Sequence, residues 1–208
     1  VRRAVELLAD ARASEGFTTL LRRALVSTRE EAALIWLTDT GTSVGHLGAL
    51  LAVIETLGRA GRRDAIPALE KLLRSREPEV QRAAVAALGG IADPAALALL
   101  RKLAGSRDPA IALAAIHGLA RWAKEDAKVA AELLHDLEGS NVDRKIAAAD
   151  ALGEGGVASS AGAIVRLLDH REWRVRASAI LNLRRLRARE AIEPLIGRIE
   201  KEEGRLQD

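Results

Sequence analysis

The dipeptide Leu-Gly and its variants recur at Leu57-Gly58, Leu88-Gly89, Leu119-Ala120, Leu152-Gly153 and Leu183-Arg184, at spacings of 31, 31, 33 and 31 residues. Flanking residues keep register with these anchors. Four before the anchor Leu stand Ala84, Ala115, Ala148 and Ala179, and one before stand Ala87, Gly118, Ala151 and Asn182. Eight before stand Val80, Ile111, Arg144 and Val175, where the third departs from the apolar pattern; twelve after stand Leu69, Leu100, Ile164 and Leu195. A period of this length means that each unit is one supersecondary element. Such a unit cannot bury its apolar face alone and must stack on its neighbours.

Each unit reads as two short helices. Asp93-Pro94 supplies an N-cap followed by Pro at the first helical position, and Asp108-Pro109 repeats the device fifteen residues on. Between the caps, apolar residues recur at helical spacing, as in Leu97, Leu100 and Leu103, and no alternating strand pattern occurs. The reading places helices at 1–13, 17–27, 29–38, 44–60, 64–75, 79–91, 94–105, 110–122, 126–138, 142–153, 159–169, 173–186 and 188–203. The predicted fold is all-α, an α-solenoid or superhelix of about six antiparallel helix pairs plus a terminal helix, monomeric and elongated. One repeat domain is expected over 1–208, regular over 57–197 and degenerate over 1–56, belonging to a longer protein because no initiator Met is present.

Composition fits a stack held by close backbone approach. Hydrophobic residues make up 49%, yet the chain has one Phe, no Tyr, no Met and three Trp, so small and aliphatic side chains must build the core. Zero Cys excludes disulfides, thiolate metal sites and cysteine nucleophiles. No run approaches the length of apolar residues needed to span a membrane. The net charge is only +3, but it is unevenly spread. Arg166–Arg189 holds eight Arg against Asp169 and Glu172, whereas Lys124–Glu154 holds four cations against eight carboxylates.

The string from Val80 to Pro94, Val-Gln-Arg-Ala-Ala-Val-Ala-Ala-Leu-Gly-Gly-Ile-Ala-Asp-Pro, resembles the HEAT-like repeat of phycobilin lyases. Ala65-Ile66-Pro67-Ala68-Leu69 and Trp173-Arg174-Val175-Arg176-Ala177 are similar pieces of the same consensus. The resemblance implies the solenoid fold and leaves function open, because such repeats serve in scaffolds, chaperone-like lyases, hydroxylases and DNA glycosylases.

A search for chemistry finds no convergent set. HEAT-like deoxyhypusine hydroxylases hold iron with several His-Glu pairs, but here His46, His117, His135 and His170 are followed by Leu47, Gly118, Asp136 and Arg171. Glu132-x-x-His135 puts one carboxylate and one imidazole on a helix face, and no second such pair exists to complete a carboxylate di-metal site. The Gly41–Gly48 segment lacks the Lys-Ser/Thr of a phosphate loop and reads as a helix start capped by Thr42 or Ser43. Ser159-Ser160 reads as a cap, and no Gly-x-Ser-x-Gly is present. Trp122 shares the register of Ile91 and Leu186 and is expected in the core; Trp36 lies in a degraded repeat. No catalytic residue, metal or cofactor is expected.

Positions two before and two after each anchor should line a groove formed by the second helices: Ala86/Gly90, His117/Arg121, Asp150/Glu154 and Leu181/Arg185. Mixed charge with an apolar end suits a protein or peptide partner. Trp173, in the register of Pro78 and Pro109 and flanked by Arg171 and Arg174, adds an aromatic at that boundary. The expected docking set is therefore His117, Arg121, Asp150, Glu154, Trp173, Arg174, Leu181 and Arg185. It would take a segment with an acidic end and an apolar anchor, in a non-catalytic scaffold module. The competing readings are a spacer with Trp173 packed away and its Arg neighbours paired to Asp169, Glu172 and Glu190, an accessory factor of the phycobilin-lyase kind, and nucleic-acid binding through Arg166–Arg189.

Overall fold

Side-chain caps start the helices where the sequence places them. The Asp93 carboxylate accepts from the Ala95 amide at 2.9 Å, Asp108 from Ala110 at 2.9 Å, Asp126 from Lys128 at 2.9 Å and Asn141 from Arg144 at 3.0 Å. Each cap satisfies an amide left without an intrahelical partner. The computed structural model describes residues 2–8 and 47–207. Helices expected at 17–27 and 29–38, together with Trp36, His46 and the Gly41–Gly45 turn, lie outside the described residues.

The chain forms two compact units, Val1–Gly118 and Leu119–Asp208. The first holds α1 (Arg2–Leu8), α2 (Leu47–Ala60), α3 (Ile66–Leu72), α4 (Pro78–Gly90), α5 (Pro94–Ala104) and α6 (Pro109–Gly118). The second holds α7 (Ala120–Ala123), α8 (Ala127–Glu138), α9 (Val142–Glu154), α10 (Ala161–Val165), α11 (Trp173–Leu186) and α12 (Ile192–Gln207). No strand occurs among the described residues. Each unit is a short stack of antiparallel pairs, so the fold class is the all-α solenoid read from the repeat. The expected helix over 110–122 is interrupted at Leu119, and short 3-10 turns precede α3, α10 and α12. Ser160 does not cap. Its hydroxyl is buried and donates back to the Val157 carbonyl at 2.7 Å.

The stack is held by contact between successive second helices. α2 packs on α4 and α4 on α6 in the first unit, and α9 packs on α11 in the second. Glycine one after the anchor makes this possible. A Cβ built on Gly58 would stand 2.6 Å from the Ala87 Cα, one on Gly89 2.8 Å from the Gly118 Cα, and one on Gly153 2.7 Å from the Asn182 Cβ. These distances are far inside van der Waals contact, so only hydrogen fits. Small residues one before the next anchor complete the approach. Ala84, Ala115, Ala148 and Ala179 are all fully buried, as are Leu69, Leu100 and Ile164. Trp122 is half-buried, with its Nε1–H out of solvent and without a hydrogen-bond partner.

The departure at Arg144 has a structural use. Its guanidinium grips the Asp136 carboxylate at 2.8–3.0 Å, and the buried Lys145 ammonium donates to the Leu137 carbonyl near the end of α8. Both interactions close the α8–α9 corner, and a cation near a helix C-terminus also complements its dipole. Burial pushes the Lys145 ammonium below the ordinary lysine value of 10.5, an effect partly offset by the Glu138 charge. The folded state therefore releases this proton at a lower pH than the unfolded state. Between the lowered value and 10.5 the unfolded chain binds more protons, so stability from this residue rises with pH. With no Tyr and no Cys, lysines are the only side chains titrating there. Urea melts from neutral pH to about pH 10 should show wild-type stability gaining on that of Lys145→Met; a constant difference would refute the assignment.

The register four after the anchor turns the chain out of the second helix. It holds Gly61 with φ 65° and Gly156 with φ 68°, but Arg187 with φ 52°. A side chain in the left-handed region costs about 1–2 kcal/mol, against about 0.5–1 kcal/mol for the extra chain entropy of glycine. Arg187→Gly is accordingly expected to raise unfolding free energy by up to about 1 kcal/mol in chemical denaturation.

Candidate functional site

One repeat of offset converts the sequence's charge polarity into pairs. Asp143 on α9 and Arg174 on α11 are 31 residues apart and meet at 3.2 Å; Glu154 and Arg185, also 31 apart, meet at 3.3 Å. Arg166 reaches Glu138 at 3.2 Å, and Arg198 on α12 reaches Asp169 at 3.6 Å. Arg174 also lies 3.8 Å from Glu172. The acidic stretch before residue 154 and the basic stretch after 166 thus neutralise one another in part along facing helices. Arg176 is spent on the His170 and Arg171 carbonyls, at 3.0 and 3.1 Å.

Beneath this exposed ladder runs a buried polar seam. Asn182 is fully buried in the register that Ala87, Gly118 and Ala151 occupy elsewhere. Its amide donates to Asp150 at 2.6 Å and to the Ser178 carbonyl at 2.9 Å, while its oxygen accepts from Arg185 at 3.1 Å. The Ser178 hydroxyl donates to the same Asp150 oxygen at 3.0 Å. Asp150 is therefore half-buried and held by two side chains of α11. Sequence reasoning placed Asn182 among the small residues. Its polarity at that register was the available signal for the seam.

The remaining predicted positions separate. His117 is exposed near the end of α6 in the first unit, and Arg121 is exposed on α7 in the second. On α11, Arg174, Leu181 and Arg185 share one arc and face the ladder. Trp173, Ile180 and Arg184, spaced by seven and four residues, form a second stripe about 100° away. Trp173 is 64% exposed and Leu181 38%. Trp173 is thus not packed under the preceding helix.

Groups that could support other chemistry do not assemble. Among the described residues no three His, Asp or Glu side chains come close enough to share a metal ion, and His135 is exposed beside a half-buried Glu132. A surface depression lined by Arg62, Arg63, Asp64 and Pro67 has its cations committed, Arg62 to Asp64 at 3.0 and 3.1 Å and Arg63 to Asp93 at 3.3 Å. The Arg62 hydrogen bonds hold the Asp64 carboxyl below the usual carboxylate range. No described helix is long and apolar enough to cross a membrane.

Comparison with known proteins agrees with this architecture. The profile described as HEAT repeats matches residues 49–120, 71–144 and 130–207. A search of the curated proteins finds no match. Among solved structures, an Escherichia coli protein, YibA, is similar at 15% identity with a TM-score of 0.55, covering 84% of this chain and 64% of its own. Human deoxyhypusine hydroxylase in complex with glycerol is similar at 15% identity, TM-score 0.47, over 94% of this chain and 88% of its own. A designed armadillo repeat protein is similar at 17% identity, TM-score 0.42, over 88% and 98%.

The two layers at the α9–α11 contact should respond differently to truncation. Asn182→Ala strips buried hydrogen bonds from Asp150 and Arg185 and should lower stability by about 1–2 kcal/mol. Arg174→Ala breaks only exposed pairs and should cost less than about 1 kcal/mol. Equal losses in urea melts would contradict this division.

Proposed function

The chain belongs to the HEAT repeat family. We propose that this protein is a non-catalytic binding module, and that its partner is a protein segment carrying an acidic end and an apolar anchor. The observation that carries the reading is Trp173. A large aromatic left 64% exposed on a helix whose other exposed residues include Leu181, Arg174 and Arg185 is the kind of residue that supplies interface energy. The ion pairs beside it do not stand in the way. Arg174–Asp143 and Arg185–Glu154 have half-exposed partners, and such pairs hold together by only about 0–1 kcal/mol. An incoming carboxylate can exchange for Asp143 or Glu154 with little loss. Glu154, Arg174 and Arg185 supply the polar rim and Trp173 and Leu181 the anchor contact, while Asp150 acts through the seam by positioning Arg185. Arg121 belongs to the second unit's proposed docking set as an exposed polar position, and His117, exposed on the first unit, is proposed as a partner contact of that unit by itself.

The competing nucleic-acid reading has less to draw on, since Arg166, Arg174 and Arg185 of the basic stretch already face carboxylates. Salt dependence separates the two, because phosphate neutralisation by several Arg makes affinity fall steeply with salt.

Selection from a random peptide library tests the proposal directly. Enriched peptides should combine acidic residues with an aliphatic or aromatic anchor. Their binding should weaken at least about tenfold, or about 1.4 kcal/mol, in Trp173→Ala with Leu181→Ala, and again in Arg174→Glu with Arg185→Glu. Failure to enrich any peptide, undiminished binding by both variants, or tight salt-sensitive binding of DNA or RNA would overturn it.

A further inference from the structure

Thirteen before the anchor stand Ser75, Ser106, Gly139 and His170, in the turn that leads into each second helix. Three of these do the same job. The Ser75 hydroxyl accepts from the Glu77 amide at 3.2 Å, the Ser106 hydroxyl from the Asp108 amide at 3.1 Å, and the His170 Nδ1 from the Glu172 amide at 3.0 Å. In each case the amide belongs to the residue at which the second helix begins, so the bond fixes the bend by which the chain enters it. His170, half-buried, thus fills a serine's role with a ring that can take up a proton.

The other second helices have supports at their entries that α11 lacks. Pro78 and Pro109 stand at the first position of α4 and α6, where a fixed φ prepares the helix. The Asp108 and Asn141 side chains accept from first-turn amides of α6 and α9. At the head of α11 the proline register holds Trp173, and the Glu172 side chain makes no capping bond. The turn into α11 is held instead by His170 from one side and by Arg176 from the other. The Arg176 guanidinium donates to the His170 and Arg171 carbonyls at 3.0 and 3.1 Å.

We infer that His170 makes the entry of α11 a pH-sensitive joint: the neutral ring holds it closed, and protonation on Nδ1 opens the first turn and frees Trp173 from its place. Histidine is the side chain whose charge ordinarily changes between about pH 8 and pH 5. A neutral imidazole keeps one nitrogen as acceptor, whereas an imidazolium has two donors and no acceptor. A ring N–H then faces the Glu172 N–H, at the end of α11 where the helix dipole is positive. What this bond adds to stability is therefore present at high pH and lost as the ring charges on acidification. The charged groups around the turn are already committed. Asp169, Arg171 and Glu172 flank the ring in sequence; α11 brings Arg174 and Arg176, α12 brings Arg198, α9 brings Asp143, and α10 has no charged residue. Asp169 faces Arg198 at 3.6 Å, Arg174 faces Glu172 at 3.8 Å and Asp143 at 3.2 Å, and Arg166 of the preceding turn faces Glu138 of α8 at 3.2 Å. The consequence for a partner rests on the reading of Trp173 as its anchor: a segment held at neutral pH is let go on acidification.

Amide hydrogen exchange on the whole chain tests the joint without any partner. Protection of the Glu172 amide, and of the Val175 and Arg176 amides that bond to the Glu172 carbonyl, is compared between wild type and His170→Ser at each pH. That ratio cancels intrinsic exchange and the other histidines, and serine is the residue this register holds in the first unit. The two proteins should match near pH 8, and wild type should be about fivefold less protected near pH 5, as the loss of one hydrogen bond allows. His170→Phe, without an acceptor, should be loose at both pH values. Peptides selected on wild type at pH 8 extend the test to binding. Between about pH 8 and pH 5 their affinity for wild type should fall at least about threefold further than their affinity for His170→Ser. A protection ratio flat with pH, a His170→Phe variant as protected as wild type at pH 8, or equal pH dependence of peptide affinity in wild type and His170→Ser overturns the inference. Finding no peptide that binds at pH 8 sinks the binding reading instead, and the exchange ratio then decides the joint by itself.

Discussion

Everything in this fold depends on successive second helices approaching until their backbones touch. Gly58 against Ala87, Gly89 against Gly118 and Gly153 against Asn182 leave room for a hydrogen and no more. At that separation a large side chain between the helices would force them apart, which is why the core is built from Ala, Val, Leu and Ile. Dispersion between closely packed backbones and methyl groups takes the place of large rings. The same contact fixes the period. A unit must contain one helix, a turn, a second helix and a turn before the chain can present another glycine at the same height. Glycine inside a helix is unfavourable by itself, by about 1 kcal/mol against alanine. Its recurrence at one register is therefore a statement about packing.

Deviations from the period then acquire meaning. Arg144 stands where Val80, Ile111 and Val175 are apolar, and it locks the α8–α9 corner onto Asp136. Asn182 stands where its counterparts are Ala or Gly, and it carries a seam linking Asp150, Ser178 and Arg185. A buried amide is tolerated only when its donors and acceptor are satisfied, and here they are. The seam also ties the exposed ladder to the core, since Arg185 contacts both Glu154 and Asn182. Orientation of that guanidinium is thus set from beneath.

Much of this was legible from sequence because repetition supplies its own alignment. The buried alanines at 84, 115, 148 and 179, the caps at Asp93 and Asp108 and the all-α stack follow from register and periodicity alone. The charge pattern was harder. Weighing cations and carboxylates within each stretch suggested a surface waiting for a partner, and considered only near neighbours such as Asp169, Glu172 and Glu190 as internal mates. The pairing runs instead at one repeat of offset, from Asp143 to Arg174 and from Glu154 to Arg185. The correct rule was available in the 31-residue spacing itself. Less accessible was the break at Leu119, because its flanking residues suit a continuous helix and tertiary packing overrides local preference.

The location of any binding energy follows from these magnitudes. Exposed ion pairs between α9 and α11 exchange at little loss, so they can orient a partner but contribute modestly to holding it. Buried apolar area contributes roughly 25 cal/mol per Å², and among the described residues the exposed apolar area is concentrated on α11 and α12, in Trp173, Ile180, Ile192, Ile196 and Ile199. The earlier second helices offer Ala86, His117 and Asp150 at comparable positions, with much less to bury. A partner docked as proposed would draw its affinity from α11 and α12, and the ladder beside them would select for charge. The two roles thus fall on neighbouring surfaces: among the described residues the exposed ion pairs run between α9 and α11, and most of the large exposed apolar side chains stand on α11 and α12.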